Sequence, residues 1–592
     1  MAEGREGGTS DAIAHPNSPD PVPDSPAPEP ALPSPACEAA GEGGRRPGGG
    51  HLATDGEPPS ADLEADAPAL DVPPTFTPID TSRGRFKRNV LANLAYFVFN
   101  AGIQLWFVRY LIDNLGVATY GLVPLATNIT GYMAIVTVAL SGSVGRFLTI
   151  DLARGDVATA NRTFNTSLFA SIVLAVALVP VAGALSWFAP SFLNIPAGEE
   201  MGTRFLLMCT CFAFLLNAVG SNFACSTFAK NRFDVQRGID ALGFITQIGV
   251  VVALFTWAEG DLWYVGAGIA ASAVVRQICY QVSWRRLTPE LSIRLASFDR
   301  TRLREVLGMG GWLMTTRVGG MLLAQSDLLV ANVVLGAHSG GLYAPVVQLV
   351  AVVRAMASTI TATITPTLAT AHGREDSARL RRLATDSVTV LGLVVALPAG
   401  LVAGLSPWLL DAWLGPRFAG VAPMLALASA CLVINIAVGP FWALFHATNR
   451  LSGHGIATIA SGVVSIALSF VLAGPAGLGL WGIAVAGALV MAAKNAIWTP
   501  WYAAIVLKQP NGTFMPCLSP GIVSVLVLWV LSGATARALG SVVPPLVAAA
   551  AAAFVATVIY LPLAWRWGLP ANERARLLGR FRGHVPRQDS AG

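Results

Sequence analysis

Residues 89–128, NVLANLAYFVFNAGIQLWFVRYLIDNLGVATYGLVPLATN, and residues 308–345, GMGGWLMTTRVGGMLLAQSDLLVANVVLGAHSGGLYAP, are built alike. In each, a long apolar stretch ends in Leu-Gly, and a Gly-Leu pair follows just inside the next stretch. Leu115, Gly116, Gly121 and Leu122 recur 220 positions later as Leu335, Gly336, Gly341 and Leu342, and the same offset carries Arg162 onto Arg382. Stretches of this kind suit a bilayer: a backbone in hydrocarbon must satisfy its own N–H and C=O groups, and a helix of about 20 residues does so across roughly 30 Å.

Working outward, twelve further stretches or their continuations fill the chain to Trp565. The expected spans are 89–112, 119–143, 163–188, 202–229, 239–257, 262–282, 306–335, 340–368, 386–412, 419–445, 456–474, 478–506, 517–537 and 542–565. Only 12% of the residues are charged and 54% are hydrophobic, against roughly 25% charged in soluble domains, which excludes a soluble fold. The expected class is an all-α polytopic membrane protein of about 14 helices. The repeat divides it into six-helix units at 85–290 and 305–508, with an appended pair at 517–565. Six crossings return a chain to its starting side, so the two units are expected to be parallel. Units related in this way are common in proteins that rock one half against the other around a midplane site.

The net charge of +5 conceals two opposed regions. Residues 1–82 hold 15 acidic and 3 basic side chains and 16 of the 38 prolines, a composition that cannot bury enough apolar surface to offset chain entropy. A disordered cytoplasmic tail is expected there, with the first apolar stretch as the insertion signal. A second, basic tail is expected over 566–592. Between the stretches, Arg83, Arg85, Lys87 and Arg88, then Arg154 and Arg162, Lys230 to Arg237, Arg285 to Arg304, and Arg374 to Arg382 occupy alternate connections. The others carry Asp113, Glu199, Glu200, Glu259 and Asp261. Positive charge in short loops stays inside, so both termini are expected in the cytoplasm of a bacterial inner membrane. Seven scattered cysteines show neither a disulfide frame nor zinc spacing and read as small apolar core residues.

Within this frame the two quoted segments, the basic run GREDSARLRRLATDS at 373–387 and the run GLGLWGIAVAGAL at 477–489 resemble the Wzx-type polysaccharide flippases of the multidrug/oligosaccharidyl-lipid/polysaccharide (MOP) exporter superfamily. The resemblance covers residues 85–508, with the last two helices as in fourteen-helix members. It implies a MOP/MATE-like fold and export of lipid-linked oligosaccharide across the inner membrane by alternating access.

Charges inside the stretches bear on that chemistry. An arginine at a helix centre costs roughly 2.5–3.5 kcal/mol on insertion scales and calls for a reason. Arg317 and Arg354 lie about 16 and 21 Å along their helices at 1.5 Å per residue, near the midplane. Arg276 and Lys494 lie nearer the inner face, where snorkelling competes with a binding role. Asp327 is read as the one deep acid. A cationic interior suits a diphosphate, which arginine holds through paired, charge-assisted hydrogen bonds; the competing reading pairs Arg354 with Asp327 in a salt bridge. Arg354, Ser358, Thr361 and Thr365 share one face by spacing, as do Asn93, Asn100 and Gln104, and Asn435, Trp442 and His446. Such stripes line a wet cavity or join helices. Tyr120 and Tyr343 read as interface anchors.

The expected substrate-binding set is therefore Arg317, Arg354, Asn100, Gln104, Ser358, Thr361, Arg276 and Lys494, with Asp327 and His446 as candidates for ion coupling. No GxxxxGK[ST] loop occurs in the chain, so ATP is not expected as an internal energy source. No cofactor, metal or nucleic acid is expected; the partners expected are a lipid-linked anionic oligosaccharide, membrane lipids and polysaccharide assembly proteins. Two other readings stay open. A cation or drug antiporter favours more buried carboxylates than Asp327 alone, and a membrane glycosyltransferase or polymerase favours large external loops.

Overall fold

A computed structural model of the protein describes residues 83–373, 377–569 and Arg574. The acidic segment 1–82 and nearly all of the basic tail lie outside the described residues. The first six helices are α1 (Arg83–Leu115), α2 (Val117–Ala153), α3 (Val157–Phe192), α4 (Glu200–Ala229), α5 (Phe233–Trp257) and α6 (Leu262–Leu287). The next are α7 (Arg300–Leu335), α8 (Ala337–Gly373), α9 (Ser377–Leu414), α10 (Ala422–Ala437), α11 (Gly439–Ala447), α12 (Leu451–Ala473), α13 (Leu480–Ala492) and α14 (Thr499–Val506). The last two are α15 (Ser519–Gly540) and α16 (Pro545–Leu563). Among the described residues, 13 helices are long and apolar enough to cross a membrane, counting α10 with α11 and α13 with α14 as interrupted spans. The remaining expected stretch, 119–143, lies in the 37-residue α2. The protein is an all-α, multi-pass membrane protein.

Helix partners repeat through the chain. Over 83–287, α1 packs on α5, α2 and α3 pack on α4, and α6 lies against α4 and α5. Over 300–506, α7 packs on α12, α8 and α9 pack on α10, and α13 lies against α10 and α12. Each pairing in the first set thus has its counterpart in the second. Helix α15 lies along α9, where an added Cβ on Gly521 would come within 3.0 Å of the Gly392 Cα. Small residues permit such backbone approach where lipid offers no hydrophobic drive to associate.

The quoted glycines shape one end of the bundle. Gly116 and Gly336 take φ of 78° and 91° at the α1–α2 and α7–α8 corners, a conformation that glycine adopts without the Cβ penalty. Just beyond them α2 meets α8. A Cβ on Gly121 would lie 2.7 Å from the Gly341 Cα, and one on Gly341 would overlap the Val117 carbonyl. The largest apolar cluster sits here and draws on both sets, including Phe107, Leu111 and Leu125 with Leu328, Val346 and Leu410. Tyr120 and Tyr343 belong to it at 3% and 2% exposure, so they are core residues and not interface anchors.

Hydrogen bonds reinforce this junction. Gln348 Nε2 donates to Gln104 Oε1 at 2.7 Å, and the Trp413 indole donates to the Leu105 carbonyl at 2.7 Å. Asn332 Nδ2 donates to the Asn194 carbonyl at 3.0 Å, while Asn194 Nδ2 returns a bond to the Asn332 carbonyl at 2.7 Å. Arg417 pairs with Asp113 at 2.9 Å.

At the opposite end the apolar clusters are separate among the described residues. One joins Val144, Leu148, Phe164, Phe223 and Trp284; another joins Leu380, Phe441, Phe445, Ala503 and Phe514. Helix α7 begins six residues earlier than the expected 306, and its first turn is tied to the preceding set of helices. Arg302 Nη2 lies 3.0 Å from Asp151, which is 5% exposed and also accepts from Thr163 Oγ1 at 2.9 Å. Removing one partner strands a buried charge. Arg302→Ala is expected to destabilise the protein by about 3 kcal/mol, read as a lowered thermal midpoint of the detergent-solubilised protein; an unchanged midpoint contradicts the anchor.

Candidate functional site

Three polar nodes lie within the spans. The first centres on Asp327 of α7. Its Oδ1 is buried without a hydrogen-bond partner among the described residues, and its carboxylate lies about a van der Waals contact from where a Cβ on Gly487 of α13 would sit. Arg354 of α8, Tyr132 of α2 and Tyr343 of α8 are within electrostatic reach. Arg354 makes no direct ion pair with Asp327, so the simple salt-bridge reading does not hold. The guanidinium compensates the acid through space and keeps its hydrogen-bond donors for other use. Ser358 and Thr361 continue α8, and their side chains lie outside the described residues.

Arg317 is exposed on α7. Gly319, two residues on, abuts the α12 backbone at Thr458 and Ile459, while an added Cβ on Gly131 of α2 would come within 3.0 Å of Gln325 Oε1. At about 100° per residue Arg317 points away from α12, between the bearings of Gln325 and Asp327. It therefore faces the space between the two sets of helices. His446 is also exposed and senses the Arg317 charge.

The second node surrounds Lys494. Sequence spacing allows this lysine to snorkel, yet it is 5% exposed. Its ammonium donates to Asn495 Oδ1 at 3.3 Å and lies 5.3 Å from the centroid of the Trp442 ring. Asn495 Nδ2 donates in turn to Asn435 Oδ1 at 3.0 Å. The cage exists because Ala493–Trp498 winds as a π turn between α13 and α14, with Thr499 Oγ1 donating to the Lys494 carbonyl. Such turns rotate neighbouring side chains out of helical register and often occur at functional sites. The expected stripe of Asn435, Trp442 and His446 is broken for a related reason. Val438 separates α10 from α11 ahead of Gly439-Pro440, so Asn435 is buried while His446 is exposed. His454, 2% exposed, lies tilted against the rings of Trp442 and Phe445 at 5.7 and 5.4 Å.

The third node lies in the first set of helices and corrects the reading of Asp327 as the one deep acid. Asp240 stands eight residues into α5; it accepts from the Tyr280 hydroxyl at 2.7 Å and pairs with Arg237 at 3.2 Å. Arg237 Nε donates to Asn93 Oδ1 at 2.7 Å and its guanidinium lies 5.3 Å from the Tyr96 ring. Arg276 is half-buried beside Gly243, with Nε buried and unpartnered among the described residues. The expected span, 239–257, assigns Arg237 to the basic connection and leaves Asp240 one residue inside its edge, whereas α5 begins at Phe233 and carries both. Their i, i+3 spacing ahead of an apolar run was the available signal. Of the expected α1 stripe, Gln104 serves the junction with Gln348, Asn93 serves this node, and Asn100 has no hydrogen-bond partner among the described residues.

Cations thus exceed acids inside the spans, on two sets of helices with matching partners. Residues 86–372 match the family described as "Polysaccharide biosynthesis protein". A relative, the "Uncharacterized membrane protein EpsK" of Bacillus subtilis (strain 168), is 30% identical over 504 residues, covering 84% of this chain and 98% of that protein. The chain belongs to the polysaccharide biosynthesis protein family. Among solved structures it is similar to a multidrug resistance MATE family transporter of the MOP superfamily in an inward-facing conformation. Identity there is 18% and the TM-score is 0.53, over 71% of this chain and 96% of that one. This polysaccharide biosynthesis family member has the transporter fold of the MOP superfamily.

Proposed function

We propose that the protein is a flippase that carries a polyprenyl-diphosphate-linked oligosaccharide from the cytoplasmic to the outer face of a bacterial inner membrane. The observation that carries this reading is the placement of Arg317 and Arg354. Both lie on α7 and α8 near the midplane, Arg317 turns to the space between the helix sets, and neither is spent in a direct ion pair among the described residues. A diphosphate would neutralise them in a site of low dielectric. The basic connections support a cytoplasmic position for the Arg302 end and for both termini. Among the described residues the apolar cores are separate at that end and joined at the Gly116 end, which suits a cavity open to the cytoplasm. The headgroup enters between the halves, the polyprenyl tail stays in lipid, and rocking about the α2–α8 contact exposes the headgroup outside. No bond is made or broken. Lys494 and Arg276 add positive potential on either side, and Asp327 and His446 are the groups placed to couple an ion to the cycle.

The purified protein in liposomes is expected to move labelled polyprenyl-diphosphate oligosaccharide between leaflets without changing its glycan length. Lengthened glycan would make the protein a polymerase, and export of organic cations without a lipid carrier would make it an antiporter; either result overturns the proposal.

A further inference from the structure

The connection between the two sets of helices lies apart from the residues of the proposed transport site. From Glu290 to Arg294 it runs extended across α3, held by two asparagines one helical turn apart. Asn161 Nδ2 donates to the Glu290 carbonyl at 3.1 Å and its Oδ1 accepts from Ser292 N at 2.8 Å. Asn165 Nδ2 donates to the Ser292 carbonyl at 2.8 Å and its Oδ1 accepts from Arg294 N at 2.8 Å. The pinned segment, α3 and the first turn of α7 border an open cavity of about 700 Å³ whose lining includes Arg162, Arg294 and Arg300.

Three arginines line this cradle against two acids, and Arg162 also lies within electrostatic reach of Asp156. Glu290 pairs with Lys230 at 2.9 Å, and the Asp299 carboxylate accepts from the Thr301 and Arg302 amides. The three arginines are exposed and make no side-chain hydrogen bond or ion pair among the described residues. Apolar side chains stand beside them without cover: Ile293 is 50% exposed, Leu295 71% and Phe298 42%. Helix α6 ends and α7 begins on either side, which sets these residues at the level where spans meet water. Basic groups interleaved with exposed apolar ones at that depth match a lipid surface of negative charge.

We infer that this cradle binds the phosphate headgroup of an anionic phospholipid of the inner leaflet, with Arg162, Arg294 and Arg300 around the phosphate and Ile293, Leu295 and Phe298 in the acyl boundary. The pinned connection thereby couples the joint between the halves to the lipid around it. Capture is separable from export, because none of these residues belongs to the proposed transport site.

Native mass spectrometry of the full-length protein with equimolar phosphatidylglycerol and phosphatidylcholine tests the assignment. Wild type is expected to retain phosphatidylglycerol about tenfold over phosphatidylcholine, and Arg162→Ala/Arg294→Ala/Arg300→Ala to bind it roughly 100-fold more weakly at an unchanged elution volume. Ile293→Ser/Leu295→Ser/Phe298→Ser is expected to weaken it about tenfold with the arginines intact. Equal retention of both lipids, or undiminished retention in the arginine variant, overturns the inference. Displacement of the lipid by millimolar inorganic phosphate shows a phosphate site without lipid specificity, and retention that appears only after removal of residues 1–82 shows that the acidic segment is the occupant. Both of these outcomes also overturn it.

Discussion

Arg354→Ala is expected to cut export of lipid-linked oligosaccharide roughly 100-fold or more, since hydrogen bonds from a charged donor contribute about 1.5–3 kcal/mol each and a guanidinium offers a diphosphate at least two. The full-length protein should remain in the membrane, and its amount is to be measured alongside export. A structural role predicts a different pattern. If Arg354 served only to balance Asp327, deleting both charges would remove the uncompensated acid and restore function. Arg354→Ala/Asp327→Ala is therefore the deciding variant. Export that stays low in the double variant while Asp327→Ala alone still exports, with normal protein levels in both, supports a direct role; recovery of the double variant to near wild type would falsify it. Arg354→Lys should retain part of the activity, because a lysine keeps the charge and loses the paired donors.

The α2–α8 contact should be almost as sensitive. Valine at Gly341 directs its Cβ into the Val117 carbonyl, and valine at Gly121 strikes the Gly341 backbone. Backbone cannot move aside as a flexible side chain can, so the two helices must separate. At an overpacking cost of about 3 kcal/mol the joined arrangement at this end loses roughly 100-fold in population relative to a splayed one. The change is readable as geometry. With the native cysteines replaced, Gln104→Cys/Gln348→Cys should cross-link readily with a short bifunctional maleimide, since the glutamine side chains meet at 2.7 Å. Adding Gly341→Val should abolish most of the cross-link, with export falling in parallel. Efficient cross-linking in the presence of Gly341→Val would show that the glycine contact does not hold the halves together.

Much of the architecture was legible in composition and period. Apolar length dictates a spanning helix, because hydrocarbon leaves the backbone no other partner. The glycines at 116 and 336 mark corners for a local reason too: they adopt positive φ. Side-chain roles were less legible. The α10–α11 break at Val438 and the π turn at Ala493–Trp498 both change helical phase, so spacing rules that assume 3.6 residues per turn misplace His446 and Lys494. Asp240 was missed because hydropathy locates the edge of hydrocarbon only to within a turn, and a charge at the edge resembles a loop residue.

Gly121 and Gly341 show where the division falls. Their recurrence 220 positions apart is a property of the chain and predicts two like units. That the two glycines touch each other, and that the Gln104–Gln348 pair sits at the same junction, depends on how the units pack. Local sequence determines helix formation and membrane insertion through short-range bonding and solvent transfer. Which polar groups meet is a matter of rotation and separation between helices distant in sequence. For the same reason Arg317 and Arg354 are recognisable as costly from their positions alone, while their lack of a direct ion pair among the described residues depends on the packed bundle.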